Sequence, residues 1–178
     1  SAISAGGSGA SFFGNPSVAT SLSYNGTAWT ATPSLSTARG ALGGAGASNT
    51  SGLAFGGNTG SPSAVTEAWN VSVTVPVAGS WSSGGNVNTA RNLVASSGTQ
   101  TSALAFGGTI SGAPSITNAT EEYDGSAWTA GGNLNTVRAR LAGAGTQTAG
   151  LAFGGGPPNV TATELYDGTA WTSAPPMA

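Results

Sequence analysis

Residues 148–155 read TAGLAFGG, and nearly the same wording returns as TSALAFGG at 101–108 and TSGLAFGG at 50–57. A degenerate copy, GASFFGN at 9–15, stands at the matching place near the start, so that Phe13, Phe55, Phe106 and Phe153 mark four units. Downstream of each comes a second shared phrase: SLSYNGTAW at 21–29, TEAWN at 66–70, TEEYDGSAW at 120–128 and TELYDGTAW at 163–171. Trp29, Trp81, Trp128 and Trp171 close the units. Between one tryptophan and the next phenylalanine lie LSTARGALGGAG at 35–46, VNTARNLVASSG at 87–98 and LNTVRARLAGAG at 134–145.

One period therefore holds four short apolar pieces: one after the arginine, the Leu-Ala-Phe piece ending in Gly-Gly, the acid and aromatic piece, and the piece centred on tryptophan. Each is about 4 to 8 residues long and bounded by Gly, Pro, Asn or Asp, the pattern of short strands separated by turns. No window sustains a 3.6-residue period with good helix formers, so no helix is predicted. Four strands in a period of about 40 to 50 residues predict the blade of a β-propeller. The expected architecture is all-β, a single repeat domain over 1–178 with about four four-stranded blades in units 1–34, 35–86, 87–133 and 134–178. Joining the last residues to the first gives WTSAPPMA followed by SAISAGGSGASFFGN, which reads like the other junctions with a deletion and without the arginine. Closure of a ring by pairing of the chain ends, membership of a larger array and completion of the assembly by several chains are all open on this reading.

The phrases LAFGG, ELYDGTAW and APPM at 174–177, with an arginine opening the next unit, resemble the kelch repeat over nearly the whole chain. The Thr-, Gly- and Ala-rich NTVRARLAGAGTQTAGLAFGG at 135–155 is similar to kelch-type proteins of tailed phages and marine bacteria. The first resemblance implies a blade whose first strand lies nearest the central axis. Kelch propellers usually have six or seven blades, and this chain has material for four.

Composition restricts function. The 178 residues include 30 glycines, four arginines, six acids and no lysine, histidine or cysteine, for a net charge of −2. The regular Trp, Phe, Leu and Val positions distinguish the chain from a disordered one. Without a basic cluster there is no footprint for nucleic acid, and without a long apolar run or a basic amphipathic helix there is none for a membrane. Ser-His and Cys-His pairs, Schiff-base chemistry and imidazole or thiolate metal sites are all excluded by inventory, so no cofactor, metal or catalytic residue is expected. The copper chemistry known on kelch scaffolds would need His and Cys. Few basic residues offer a trypsin-like protease few sites, which points to an extracellular setting, and the resemblance to phage proteins implies a virion.

The charges that do occur repeat. Arg39, Arg91 and Arg138 share one position in the unit and Glu67, Glu121 and Glu164 another, as a framework ion pair in each blade requires. Glu121 and Glu122 are adjacent, and alternation along a strand sends them to opposite faces. Asp124 and Asp167 precede glycine where the first unit has Asn25-Gly26. This is the chemistry of a two-residue type I′ hairpin, in which the charge is replaceable. The glycines of 43–46 and 143–145 lack the lysine and helix of a phosphate loop and fit close packing of first strands near an axis. Sequons occur at Asn25, Asn49, Asn70, Asn118 and Asn159, a number close to chance in so polar a chain.

Variation is confined to the linkers after Gly-Gly and to the second unit, where WNVSVTVPVAGSW at 69–81 replaces the short hairpin. Candidate binding residues are therefore Trp69, Asn70, Val75 and Trp81 in that segment, with Asn58, Ile110, Ile116 and Asn159 in the linkers. The leading functional reading is a non-enzymatic structural or adhesion module of a virion or extracellular appendage. Its partners would be other virion or appendage subunits, copies of itself among them, or a cell-surface glycan. The alternatives are a carbohydrate-active propeller enzyme, which needs two carboxylates close together at one mouth of the ring, and a kelch-type interaction adaptor.

Overall fold

Four antiparallel meanders, and no helix, make up residues 2–6, 17–71, 79–112 and 115–177, which the computed structural model of the chain describes. The first sheet is β1 (Ala2–Ala5), β2 (Ser21–Tyr24) and β3 (Trp29–Thr32). The second is β4 (Gly43–Ser48), β5 (Ser51–Phe55), β6 (Thr66–Asn70) and β7 (Ser80–Ser83), and the third β8 (Ala95–Thr99), β9 (Ser102–Phe106), β10 (Thr120–Tyr123) and β11 (Trp128–Ala130). The fourth is β12 (Ala142–Gly145), β13 (Gly150–Phe153), β14 (Thr163–Tyr166) and β15 (Trp171–Ala174). The last three sheets are four-stranded blades lying within the expected units.

The Leu-Ala-Phe pieces form the second strand of the last three blades, and in the two central ones they are buried on both faces. The reason is stacking: a blade between two others has no solvent face, so its middle strands read as near-continuous apolar runs. Register repeats from blade to blade, with Phe55 opposite Thr66, Phe106 opposite Thr120 and Phe153 opposite Thr163. After each phenylalanine a glycine takes a left-handed conformation, φ 66° at Gly56, 67° at Gly107 and 67° at Gly154. A Cβ on Gly107 would also stand 2.6 Å from the carbonyl oxygen of Arg138 in the next blade, so the Gly-Gly pair is both turn and close blade contact.

The first blade departs from expectation. Its second-strand counterpart is Ala2–Ala5, paired with β2 so that Ala5 lies opposite Ser21. Gly6 has φ 69° and donates to Thr20, as Gly56, Gly107 and Gly154 donate to Val65, Ala119 and Ala162. The piece aligned from sequence, GASFFGN with Phe13, lies outside the described residues, as do Val75 and residues 72–78 of the long second-unit segment. Alanine in the phenylalanine position removed the aromatic on which the alignment depended. Among the described residues this blade has three strands.

Blades pack through the first strands near the axis, β4 on β8 and β8 on β12. Crowding there selects glycine: a Cβ on Gly143 would lie 2.5 Å from Phe106 and 2.6 Å from the Ser96 oxygen. The inner ring is also stitched by backbone hydrogen bonds, Leu93 to Ala41 (2.9 Å) and Arg140 to Leu93 (3.1 Å). Ala41, Leu93 and Arg140, each two residues after a framework arginine, hold left-handed φ of 51°, 52° and 56°. Non-glycine residues bear that conformation at a cost of about 1–3 kcal/mol each, and at Leu93 and Arg140 the N–H reaches the preceding blade. β15 pairs with β14 and β1 with β2. Among the described residues the first and last strands pair only within their own sheets.

Between blades the core is aromatic. Trp128 of the third blade meets Phe55 of the second at 4.7 Å, and its indole N–H donates to Thr66 Oγ1 at 3.1 Å. Trp171 of the fourth repeats this on Phe106 (4.8 Å) and Thr120 Oγ1 (2.9 Å) of the third. Tyr123 and Tyr166 stack on the same tryptophans from within their own blades.

Candidate functional site

The ionisable groups come first, because they decide which chemistry is open. Arg39 pairs with Glu67 at 3.1 Å, Arg138 with Glu164 at 2.8 Å, and Arg91 with Glu121. All six side chains are essentially removed from solvent. Each arginine enters its blade from the loop before the first strand and also binds the carbonyls just after the second strand and just before the third, Gly154 and Ala162 in the case of Arg138. Each glutamate accepts from a backbone amide of that loop: Ser36, Asn88 and Asn135. The pairs thus bind the entering loop to the middle of the blade. Burial lowers the basicity of Arg91, and the facing Glu121 carboxylate opposes that shift.

The remaining acids are also engaged. Glu122 points away from Glu121, as alternation requires, and accepts from the Tyr166 hydroxyl of the next blade. Burial, reinforced by that carboxylate, raises the Tyr166 hydroxyl to about 12. Among the described residues no three of His, Cys, Asp or Glu gather as a metal site.

Asp124 and Asp167 cap hairpins, but not in the expected two-residue geometry. Tyr123 lies opposite Trp128 and Tyr166 opposite Trp171, which makes residues 124–127 and 167–170 four-residue loops. Only the glycines, Gly125 and Gly168, have positive φ. The carboxylate itself replaces the missing turn geometry: Asp124 Oδ1 accepts from the amides of Ser126 and Ala127 at 2.8 Å and from the Ser126 hydroxyl at 2.7 Å. Asn25 Oδ1 accepts from Thr27 and Ala28 in the same way without charge. Such Asx turns satisfy backbone donors that the sheet cannot reach. The Ala127 amide and then the Ser126 hydroxyl hold the Asp124 carboxyl at about 2, below its ordinary 3.8. Because the folded value is depressed, its contribution to stability is complete above about 3.8 and is lost as pH falls towards about 2. Asp124→Asn is expected to keep the hairpin, as Asn25 does, and to remove that residue's share of the acid limb in Tm-against-pH curves.

The candidate binding residues divide between opposite ends of the blades. Asn58, Ile110, Ile116 and Asn159 follow the second strands, whereas Asn70 and Trp81 flank the loop after a third strand, which antiparallel order puts at the other end. Asn58 is used locally, its side-chain oxygen accepting from Gly60 at 2.7 Å and its backbone pairing with Gly40. Ile110 and Ile116 are half-buried and Asn159 exposed. Trp69 is 1 % exposed, donates to the Asn49 carbonyl at 2.9 Å and stacks on Trp81. It is core, contrary to expectation, because it occupies the place of Tyr123 and Tyr166 in the other blades.

A groove of about 340 Å³ opens where the second and third blades meet, lined by Asn70, Ser82, Gln100, Thr101 and Ser126, with the buried Tyr123 behind them. Every side chain on its walls is uncharged. Gln100 reaches across the blade boundary, its amide donating to Trp69 O (2.7 Å) and Asn70 Oδ1 (3.1 Å), while Ser51 donates to its oxygen at 2.7 Å. Gln147 makes the same bridge one blade on, to Ala103 and Tyr123 carbonyls at 3.1 and 2.7 Å. Sequence reading singled out Asn70 but neither glutamine, although GTQT stands identically at 98–101 and 145–148.

No family model and no curated protein matches the sequence. The fold does match. The chain aligns with the solved structure of YjhT at a TM-score of 0.73 over 89 % of its own length, with 13 % identity. It spans 53 % of that longer chain. At this identity the likeness shows the architecture alone, a propeller-type succession of four-stranded blades.

Proposed function

We propose that the protein is a non-enzymatic structural or adhesion module of a virion or extracellular appendage, of the kelch type its repeat resembles, and that it binds a neutral polar ligand such as a glycan. One observation carries the reading. The carboxylates that could perform acid and base chemistry are engaged in buried pairs, hairpin caps or the Tyr166 contact, while the groove between the second and third blades is lined by amide and hydroxyl side chains and carries no charge. Uncharged hydrogen-bonding side chains suit sugars or another subunit better than ionic ligands. A glycosidase needs two free carboxylates facing one bond, and the pairing of Glu67, Glu121 and Glu164 speaks against that alternative. The absence of lysine and the few arginines fit exposure to proteases outside cells.

NMR titration with a panel of neutral oligosaccharides tests the assignment. Shifts are expected at Asn70, Ser82, Thr101 and Ser126, and Ser82→Trp, which fills the groove from an exposed position, is expected to abolish them. Shifts confined to Asn58, Ile110, Ile116 and Asn159 would move the site to the other end of the blades. Cleavage of any oligosaccharide would replace the reading with an enzymatic one.

A further inference from the structure

The two end faces, on the first and fourth blades, are halves of the interface that the chain builds twice inside itself. On the first blade Leu22, Tyr24 and Trp29 share the face directed away from the second blade. Leu22 is 42 % and Trp29 51 % exposed, although Trp171 and Trp128, at the same repeat position as Trp29, are each 5 % exposed. Tyr24 stacks on Trp29 at 5.1 Å, as Tyr123 and Tyr166 stack on their tryptophans at 4.9 and 5.0 Å, so the indole is already held in its interface geometry.

On the fourth blade, strand alternation puts Leu151, Phe153, Thr163 and Leu165 on the face directed away from the third. Phe153 and Thr163 are the counterparts of the Phe55–Thr66 and Phe106–Thr120 pairs that receive Trp128 and Trp171. Phe153 has no tryptophan against it, Leu165 is 49 % exposed, and Thr163 Oγ1 is buried without a hydrogen-bond partner. One face carries an indole and its N–H; the other carries the phenyl ring and the hydroxyl acceptor that indoles occupy elsewhere in the chain.

We propose that these faces bind each other between two copies of the chain, Trp29 of one copy seating on Phe153 of the next with its N–H on Thr163 Oγ1. The two faces are not seated on each other within one chain, since Leu22, Trp29 and Leu165 stay largely exposed. The contact is heterologous, each copy offering a different face at each end, and such contacts close into rings when the rotation allows. Leu165 then covers the Tyr24 ring, as Ala68 approaches Tyr123 at the boundary of the second and third blades. None of these residues belongs to the groove, so this contact and ligand binding fail or succeed separately.

Light scattering and sedimentation of the unmodified chain are expected to give a mass of two or more copies, with Trp29→Ala reduced to a monomer. Thr163→Val, which keeps the shape and removes the acceptor, is expected to weaken association about tenfold. Because Trp29 is half exposed, Trp29→Ala should leave the circular dichroism and unfolding midpoint of the monomer unchanged. Three results overturn the proposal: a chain monomeric up to about 1 mM, a monomer in which Trp29 fluorescence is that of a buried indole, or an oligomer that survives Trp29→Ala.

Discussion

Arg91→Met is expected to destabilise the protein by about 3–5 kcal/mol, because it leaves the Glu121 charge buried with no cation to face it. Arg91 should be the most sensitive of the three framework arginines. Its Nε donates to Thr89 O and its Nη1 to Gly107 and Ala119 carbonyls, while Nη2 pairs with Glu121. The Nε groups of Arg39 and Arg138 are buried without partners. Arg91 also stands in a blade covered on both sides. Replacing both partners, Arg91→Met with Glu121→Leu, is expected to recover much of the loss, since a buried pair is expensive mainly when half of it is removed. Urea unfolding followed by tryptophan fluorescence measures both variants. A loss under about 1 kcal/mol for Arg91→Met, the range of exposed ion pairs, would contradict the buried geometry.

The ion pairs were legible in the sequence for the same reason that they matter. A chain with four arginines places three of them, and three of its six acids, at fixed positions in the repeat, and only a recurring contact explains such economy. The blade itself was legible because Gly-Gly after Leu-Ala-Phe meets a backbone need that no other residue meets as well. Where a residue's identity changed while its backbone role stayed, the signal failed. Ala5 occupies the place of phenylalanine and Leu22 that of glutamate, so the first blade lost both markers, and its second strand was sought at 9–15 instead of 2–5. The hairpins failed differently: Asp-Gly is compatible with a type I′ turn, but a carboxylate able to accept three hydrogen bonds favours the longer Asx-capped loop. Trp69 shows the limit of reading variability as function, since a tryptophan beside a variable loop served the core. The glutamine bridges were within reach, because an identical GTQT in two units of a polar chain is the same kind of evidence as the repeated Arg and Glu. The groove they frame was not, since it exists only between blades.

Trp128→Ala is expected to cost about 3–5 kcal/mol, the range for removing a large buried aromatic, and Trp81→Ala distinctly less. Both tryptophans close a blade at the same repeat position, so local propensity is common to the pair and the difference lies in what the preceding blade offers. Trp128 meets the edge of Phe55 and donates to Thr66 Oγ1, and it stacks on Tyr123. Trp81 faces a blade in which Ala5 replaces the phenylalanine, and both its Nε1 and Ser21 Oγ, the counterpart of Thr66 Oγ1, are buried without partners. Removing Trp128 would therefore leave Thr66 Oγ1 without its indole donor beside a void, whereas Trp81→Ala removes one unsatisfied donor along with its packing. Trp128→Phe separates the terms: it keeps an aromatic against Phe55 and Tyr123 and gives up the hydrogen bond and part of the buried area, for an expected loss of about 1–2 kcal/mol. Equal losses for Trp128→Ala and Trp81→Ala would mean that the blades are joined by buried area alone, with no contribution from the indole-to-threonine bond on which the pairing of the end faces also depends.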